Sequence, residues 1–401
     1  MIPILRLSFP SLLSRMSMLL LLLLLLTTAN TVHAASRTAR QVAVTGIPAL
    51  YLADDDDDHN KETLYAIDAA VGSTRWSVRI TPDGSPQTPF AGFGNVYLND
   101  VNARAFNAQN GAAVWTQNSP PATTTTPVGF NGMVLAGGSN GTFLARNANN
   151  GTLVWQSAPI PNFNPSRGVV ATEGGVSRVY FGGCCSDNVY ALNATTGALL
   201  WQTHLGSSAG TVAAPTVDVS RGLVYVASTD QEVYALDAVS GQVVWFFFAG
   251  AAVEGSPCVS NGLVYFGSDG GKFYALDAST GSLRWSFTGG KRLIATPAVV
   301  SNLVYFSDFD SGTVYALNAT TGGSPVWTFH PTFNSVSHIG LLVANGLLYE
   351  AVLSLTPPPQ PDMVSVYAIN ATTGAYTWRW DGFPNGRFAT TDTAPPPVIV
   401  T

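Results

Sequence analysis

The stretch YALDASTGSLRW, residues 274–285, is one of eight copies of a single pattern in this chain of 401 residues. The other copies are YAIDAAVGSTRW (65–76), RAFNAQNGAAVW (104–115), LARNANNGTLVW (144–155), YALNATTGALLW (190–201), YALDAVSGQVVW (234–245), YALNATTGGSPVW (315–327) and YAINATTGAYTW (367–378). In each, an Asp or Asn stands four residues before a Gly, and a Trp follows the Gly. Tyr, the aliphatic residue and Trp alternate around polar positions as a two-faced strand requires. The Asp or Asn can close its own turn through its side-chain oxygen, the Gly supplies a positive φ, and the Trp offers a broad face to a neighbour.

Upstream of each copy lies a second motif, clearest as SPCVSNGLVYFGSDG (256–270) and TPAVVSNLVYFSDFD (296–310), which reads as two more strands around a short turn. The unit is therefore four strands, A to D, with Tyr-Ala-Leu on C and Trp on D. Trp-to-Trp spacings of 39, 40, 46, 44, 40, 42 and 51 leave room for four strands and four turns. Antiparallel sheets of four strands repeated radially make a propeller. The sequence thus predicts an all-β, eight-bladed β-propeller over residues 41–401. The C-terminal APPPVIVT (394–401) reads as an A strand that completes blade 1 and closes the ring, removing the open edges of a linear array.

Charged residues are only 10% of the chain, against about 25% in an average soluble domain. The net charge is −6 and no basic stripe exists, so nucleic-acid partners are disfavoured. Arg6 and Arg15 precede an apolar run, Leu19 to Leu26, and small residues follow at Val32-His33-Ala34-Ala35. That order predicts a cleaved signal peptide over residues 1–35 and an extracytoplasmic destination, periplasmic or extracellular, with no stable membrane span after cleavage. Three cysteines, Cys184, Cys185 and Cys258, are too few for a disulfide scaffold.

The eight-fold Tyr-Ala-Leu-Asp-Ala-x-Thr-Gly-x-x-x-Trp pattern resembles the PQQ-like repeat family, in the quinoprotein alcohol dehydrogenase-like superfamily. The resemblance covers residues 41–401 and is specific for fold. For function it implies two outcomes. Some members are dehydrogenases that hold pyrroloquinoline quinone (PQQ) and calcium; another is a cofactor-free scaffold lipoprotein of outer-membrane barrel assembly.

In this family the D–A and B–C loops share one face, where sites are built. Aligned on strand B, the residues at the mouths of the A strands include Arg167, Glu254, His338 and Asp392, a ring of ionisable groups around the channel that could bind a small anion, a metal or a peptide. Lys291 and Arg292 add positive charge between blades 6 and 7. Adjacent Cys184 and Cys185, in the B–C loop of blade 4, are a candidate vicinal disulfide, although the family's own vicinal pair precedes a strand A. Cys258 is expected as a buried thiol in strand A of blade 6. The run Asp54, Asp55, Asp56, Asp57 and Asp58, placed in the B–C loop of blade 1, is a weak calcium candidate that matches no EF-hand spacing. Glycosylation sequons occur at Asn140, Asn150, Asn193, Asn318 and Asn370, four of them in C–D turns where Asn takes the place of the repeat's Asp.

Minimal loops, five scattered His, and the lack of a Ser-His-Asp order, an H-E-x-x-H or a C-x-x-C-H motif favour a non-catalytic scaffold without cofactor. Such a monomer would present its loop face to a protein, a peptide or a small ligand. The alternative is a PQQ- and calcium-dependent alcohol dehydrogenase, and a polysaccharide lyase or hydrolase comes third. The dehydrogenase lacks an unassigned Trp to lie beneath the quinone: eight of the nine Trp belong to the repeat and Trp380 is two residues beyond one of them.

Overall fold

The computed structural model describes residues 49–56, 61–80, 89–99, 102–118, 125–138, 140–160, 164–184, 188–206, 213–331, 335–337, 341–354 and 363–382. All regular elements among them are β-strands. Blade 6 shows the unit: strands A (Cys258–Ser260), B (Leu263–Gly267), C (Lys272–Asp277) and D (Leu283–Thr288) pair antiparallel in that order. Blades 2 to 8 repeat it, blade 8 with a fifth strand, Ser335–Ser337, added beside its strand B, so the structure is the eight-bladed propeller read from the sequence. Blade 1 contributes Ala49–Asp56, Lys61–Asp68 and Thr74–Ile80 as strands B, C and D. Its expected A strand at 394–401 lies outside the described residues.

The repeat's residues do what their chemistry suggests. Asp277 Oδ1 accepts the backbone N–H groups of Ser279 and Thr280, each at 3.0 Å, which closes the C–D turn. Asn193, Asn318 and Asn370 do the same in their own turns. Past the turn, Ala275 pairs with Trp285 but Leu276 pairs with Leu283, so Arg284 is an extra residue on strand D. The same register shift recurs in the other blades, as at Ala66/Ile67 and Ala368/Ile369, except blade 7, whose extra residue widens it to Ala316/Asn318. This bulge turns the two residues before the Trp outward and the Trp inward.

Each Trp is aimed at the next blade. Trp285 Nε1 donates to Ala319 O at 3.0 Å, and Tyr265 Oη of strand B donates to the same oxygen at 3.1 Å. The turn glycine of the next blade, Gly322, lies on the Trp285 ring, and an added Cβ would come within 2.6 Å of Cδ2. Buried apolar clusters join consecutive blades in the same way. The seam between blades 8 and 1 follows the rule. Tyr349 Oη donates to Ala69 O at 2.8 Å, and a Cβ on Gly72 would lie 2.6 Å from Trp378 Cε3. Leu50, Tyr65 and Ile67 of blade 1 share one buried cluster with Tyr349, Trp378 and Trp380 of blade 8. Packing therefore closes the ring. One detail differs: among the described residues Trp378 Nε1 has no acceptor, while the nearby Trp380 Nε1 donates to Thr74 Oγ1 at 3.1 Å.

Three expectations need correction. Asp54, Asp55 and Asp56 are not in a loop but extend strand B of blade 1, opposite Thr63, Glu62 and Lys61, because the hairpin ladder runs on past Ala53. Asn150 is not in the Asp slot of its repeat; Asn147 holds that slot, and Asn150 Oδ1 accepts the Thr152 N–H at 3.0 Å. Blade 4 carries an added two-stranded ribbon, Asn164–Pro165 against Gly183–Cys184, so Cys184 is in a strand.

Candidate functional site: the loop face and the central channel

The D–A and B–C loops interlock on one face. The 5-to-6 connection lies between two B–C loops: Val253 N–H donates to Ser228 O at 3.2 Å, and Asp269 N–H donates to Ala252 O at 2.9 Å. The 6-to-7 connection repeats this, with Leu293 N–H on Ser268 O and Phe309 N–H on Arg292 O. Backbone bonds of this kind turn short loops into a rigid surface that can hold side chains in fixed relation.

Arg292 stands at the centre of the charge on this face. Its guanidinium lies 3.7 Å from Glu254 and 3.8 Å from Asp269, and sits 4.7 Å over the ring of Phe309. These ion-pair distances exceed hydrogen-bond length, and the groups are about one-third exposed, so the pairs add little stability. Burial raises the Glu254 pKa, Asp269 adds to the rise, and Arg292 opposes it. Asp269 is raised in the same way by burial and by Asp310, again against Arg292. Asp308 Oδ2 accepts the Lys291 backbone N–H at 3.1 Å, while the Lys291 side chain points to solvent. Two acids, one arginine and an aromatic ring thus form a mixed polar patch between blades 6 and 7, suited to a protein surface rather than to a single ion.

A separate cavity of about 250 Å³ opens in the channel among the A strands of blades 4 to 8. Arg167 is its ionisable member among the described lining residues; Ser256, Thr216 and Thr296 give hydroxyls, and Val169, Pro215, Pro257 and Leu341 give apolar surface.

The expected ring of four ionisable groups is only partly observed. Arg167 lines the channel. Glu254 is turned to Arg292 instead, because that guanidinium is the nearest compensation for a half-buried carboxylate. His338, Asp392, Cys185, Asp57 and Asp58 lie outside the described residues, and the proposed Cys184–Cys185 pair with them. Cys258 opens strand A of blade 6 as a free, half-buried thiol, and burial raises its pKa to about 11. Among the described residues, no three His, Cys, Asp or Glu side chains cluster as metal ligands, and no helix is long and apolar enough to cross a membrane. Asn140 and Asn150 are exposed, and the other three sequon residues are half-buried.

Asp269, Asp308 and Phe309 were not among the sequence candidates. The signal was present as a Ser-Asp pair ending strand B in both YFGSDG and YFSDFD. The strand-mouth alignment passed over it.

A family model described as outer membrane protein assembly factor BamB matches residues 60–213, 145–253, 185–300 and 230–379. The chain belongs to this family. The factor of that name from Yersinia pestis is 33% identical over 200 residues, covering 46% of this chain and 48% of its own length. The one from Moranella endobia is 25% identical over 194 residues with the same coverage. The chain thus spans about half the length of the curated relatives it matches. Among solved structures, BamB from Moraxella catarrhalis aligns with a TM-score of 0.63 at 18% identity, over 78% of this chain and 92% of that one. A quinohemoprotein alcohol dehydrogenase from Comamonas testosteroni aligns with a TM-score of 0.65 at 14% identity, over 84% and 75%. At such identities the structures share the fold alone.

PQQ is flat and carries several carboxylates, so its site needs a stacking ring and several cations. The described channel wall offers one Arg and no aromatic ring. This donor set does not fit the quinone.

Proposed function

We propose that this chain is an exported, non-catalytic scaffold that uses its loop face to hold a protein partner in the assembly of outer-membrane proteins. One observation carries the reading: the loops are locked to one another by backbone bonds and present the Arg292 patch, with acids, a cation and an aromatic ring held side by side. Interfaces of this type are enriched in Arg and aromatics at their centres. Membership in the assembly-factor family supports the partner class. The N-terminal signal over residues 1–35 supports delivery to an extracytoplasmic compartment, where Cys184 and Cys185 would pair with each other.

The test is complementation. Expressed in a bacterium that lacks its own assembly factor, the chain should restore outer-membrane protein levels. Arg292→Glu should remove that rescue while the purified variant keeps its melting temperature. Lack of rescue by the unaltered, exported chain, or full rescue by Arg292→Glu, counts against the proposal.

A further inference from the structure

We propose that the outer edge of blade 5 docks an extended peptide of alternating apolar residues with a basic residue at each end, taken up as an added strand beside Val243–Phe248. The site uses none of the residues of the Arg292 patch and lies beyond the scaffold reading.

The edge is open and apolar. Strand D is the outermost strand of its blade, and no strand pairs with its outer side among the described residues. Its outward backbone N–H and C=O groups can receive another strand. Other blades blunt this edge with polar side chains. At the first and third positions after the Trp they carry Ser77 and Arg79, Gln202 and His204, or Ser286 and Thr288. Blade 5 has Phe246 and Phe248 there, 61% and 62% exposed. Side chains two apart share one side of a strand. The exposed Val243 and Val244 extend this apolar surface past the bulge.

Both ends of the edge are acidic and short of positive charge. In blades 1 and 6 the Asp that closes the C–D turn pairs with an arginine on strand D: Asp68 with Arg75 at 2.6 Å, and Asp277 with Arg284 at 2.7 Å. Asp237 closes the blade 5 turn on the N–H groups of Val239 and Ser240. Val244 stands where those two blades have their arginine, so this turn lacks its cation. At the other end, Tyr234 Oη lies 2.7 Å from Asp230 Oδ2 and 2.5 Å from Glu232 Oε2. One phenol proton cannot serve two carboxylates. The Tyr234 ring lies beside Phe246 with centroids 6.2 Å apart, and Glu232 pairs with Phe248 in the ladder, so these acids adjoin the apolar stripe. A peptide cation at each end supplies the charge that both ends lack.

The same charges argue against two other occupants. A second copy pairing its own strand D about a two-fold axis would run antiparallel and bring Asp237 of one molecule to Asp230 and Glu232 of the other. An anionic bilayer surface would be repelled by all three acids. Strand D spans six residues, or about 20 Å, which sets the length of peptide that reaches both ends.

The experiment is fluorescence anisotropy of the labelled peptide acetyl-KVTVTVK-amide titrated with the full chain. Binding should saturate at one peptide per chain, and the same peptide with Glu in place of both Lys should bind at least about tenfold more weakly. Phe246→Ser combined with Phe248→Ser should also weaken binding at least about tenfold. Asp237→Asn keeps a side chain that three other blades use to close this turn, and should weaken binding about fivefold. Val244→Arg gives blade 5 the arginine of blades 1 and 6; it should fold normally and abolish binding. No binding of the Lys peptide, equal binding of the Glu peptide, or unchanged binding in Val244→Arg would each overturn the proposal. So would self-association, or adsorption to phosphatidylglycerol vesicles, that is lost in the double Phe variant while peptide binding is not. If the double Phe variant does not fold, Val244→Arg and the ratio of the two peptides decide the matter. Arg292→Glu should leave peptide binding unchanged, so this site and the scaffold role succeed or fail separately.

Discussion

Replacing Gly72 by Ala tests ring closure by packing. Gly72 has φ +70°, and an Ala Cβ there would sit 2.6 Å from Trp378 Cε3 and 2.8 Å from Cδ2. The left-handed backbone costs a non-glycine residue about 1–2 kcal/mol. Ordinary carbon contacts begin near 3.5 Å, so the methyl must also push the indole away by roughly 1 Å, and overpacking of this kind costs about 1–3 kcal/mol. The expected loss is about 2–5 kcal/mol. Two comparisons separate the terms. Gly281 has the same φ and meets Trp245 at 2.7 Å in the middle of the ring, so Gly281→Ala should cost as much. Gly346 has φ +77° with nothing within 4 Å, so Gly346→Ala should cost only the backbone share. Urea unfolding followed by tryptophan fluorescence reads all three. If Gly72→Ala matches Gly346→Ala while Gly281→Ala is costlier, blade 8 does not pack on blade 1 as described.

Trp245→Ala removes a buried indole and its hydrogen bond to Ala278 O, and should cost about 3–5 kcal/mol by the same assay; a loss below about 1 kcal/mol would contradict the blade packing. Tyr180 Oη lies 2.5 Å from the buried Glu173 carboxylate and 3.1 Å from Ala238 O, whereas Tyr265 Oη has Ala319 O as its acceptor. Tyr180→Phe strands a buried carboxylate oxygen and should destabilise more than Tyr265→Phe, which should cost about 1 kcal/mol; equal losses would refute that role for Glu173. Arg284 holds the Asp277 pKa down to about 2. A lowered folded-state pKa means stability that is present above the unfolded value near 4 and lost as pH falls toward 2. The pair is exposed, so Asp277→Asn should cost at most about 1 kcal/mol at pH 7 and nothing near pH 2; a penalty that grows on acidification would reverse the sign. Cys258, with its pKa near 11, should react with iodoacetamide at pH 8 far more slowly than a free thiol; comparable rates would show it accessible and ionised.

The fold was legible because each blade repeats a local chemistry. Asp277 closes its turn, Gly281 admits the neighbour's ring, and Trp285 reaches across, all within a dozen residues of sequence. The six strand-B tyrosines that share acceptors with the tryptophans were less visible. Tyr265 and Ala319 are far apart in the chain and meet only when blades stack. The channel showed a similar limit. Strand-mouth alignment found Arg167, whose position is set by backbone register. It also gave Glu254 and Arg292 as separate candidates without their proximity, which is set by opposite charges on two different loops. It passed over Asp269 and Phe309, which join the site through loop-to-loop hydrogen bonds that no spacing rule encodes.

The way each blade is fastened to the next bears on how the molecule moves. Seven joints are fastened by an indole N–H on a backbone carbonyl; the eighth, at blades 8 and 1, keeps its tyrosine bond and ring stack and takes its indole bond from Trp380 to the Thr74 hydroxyl. The joint between blades 3 and 4 departs in the other way: Trp155 holds Ala194 O, but strand B of blade 3 has Leu135 where the other blades have a tyrosine. A closed ring can open only by parting at one joint, and one hydrogen bond of about 1 kcal/mol changes the population of opened molecules roughly fivefold. Transient excursions from the native ring should therefore begin at the joint between blades 3 and 4, which has one fastening fewer than its neighbours.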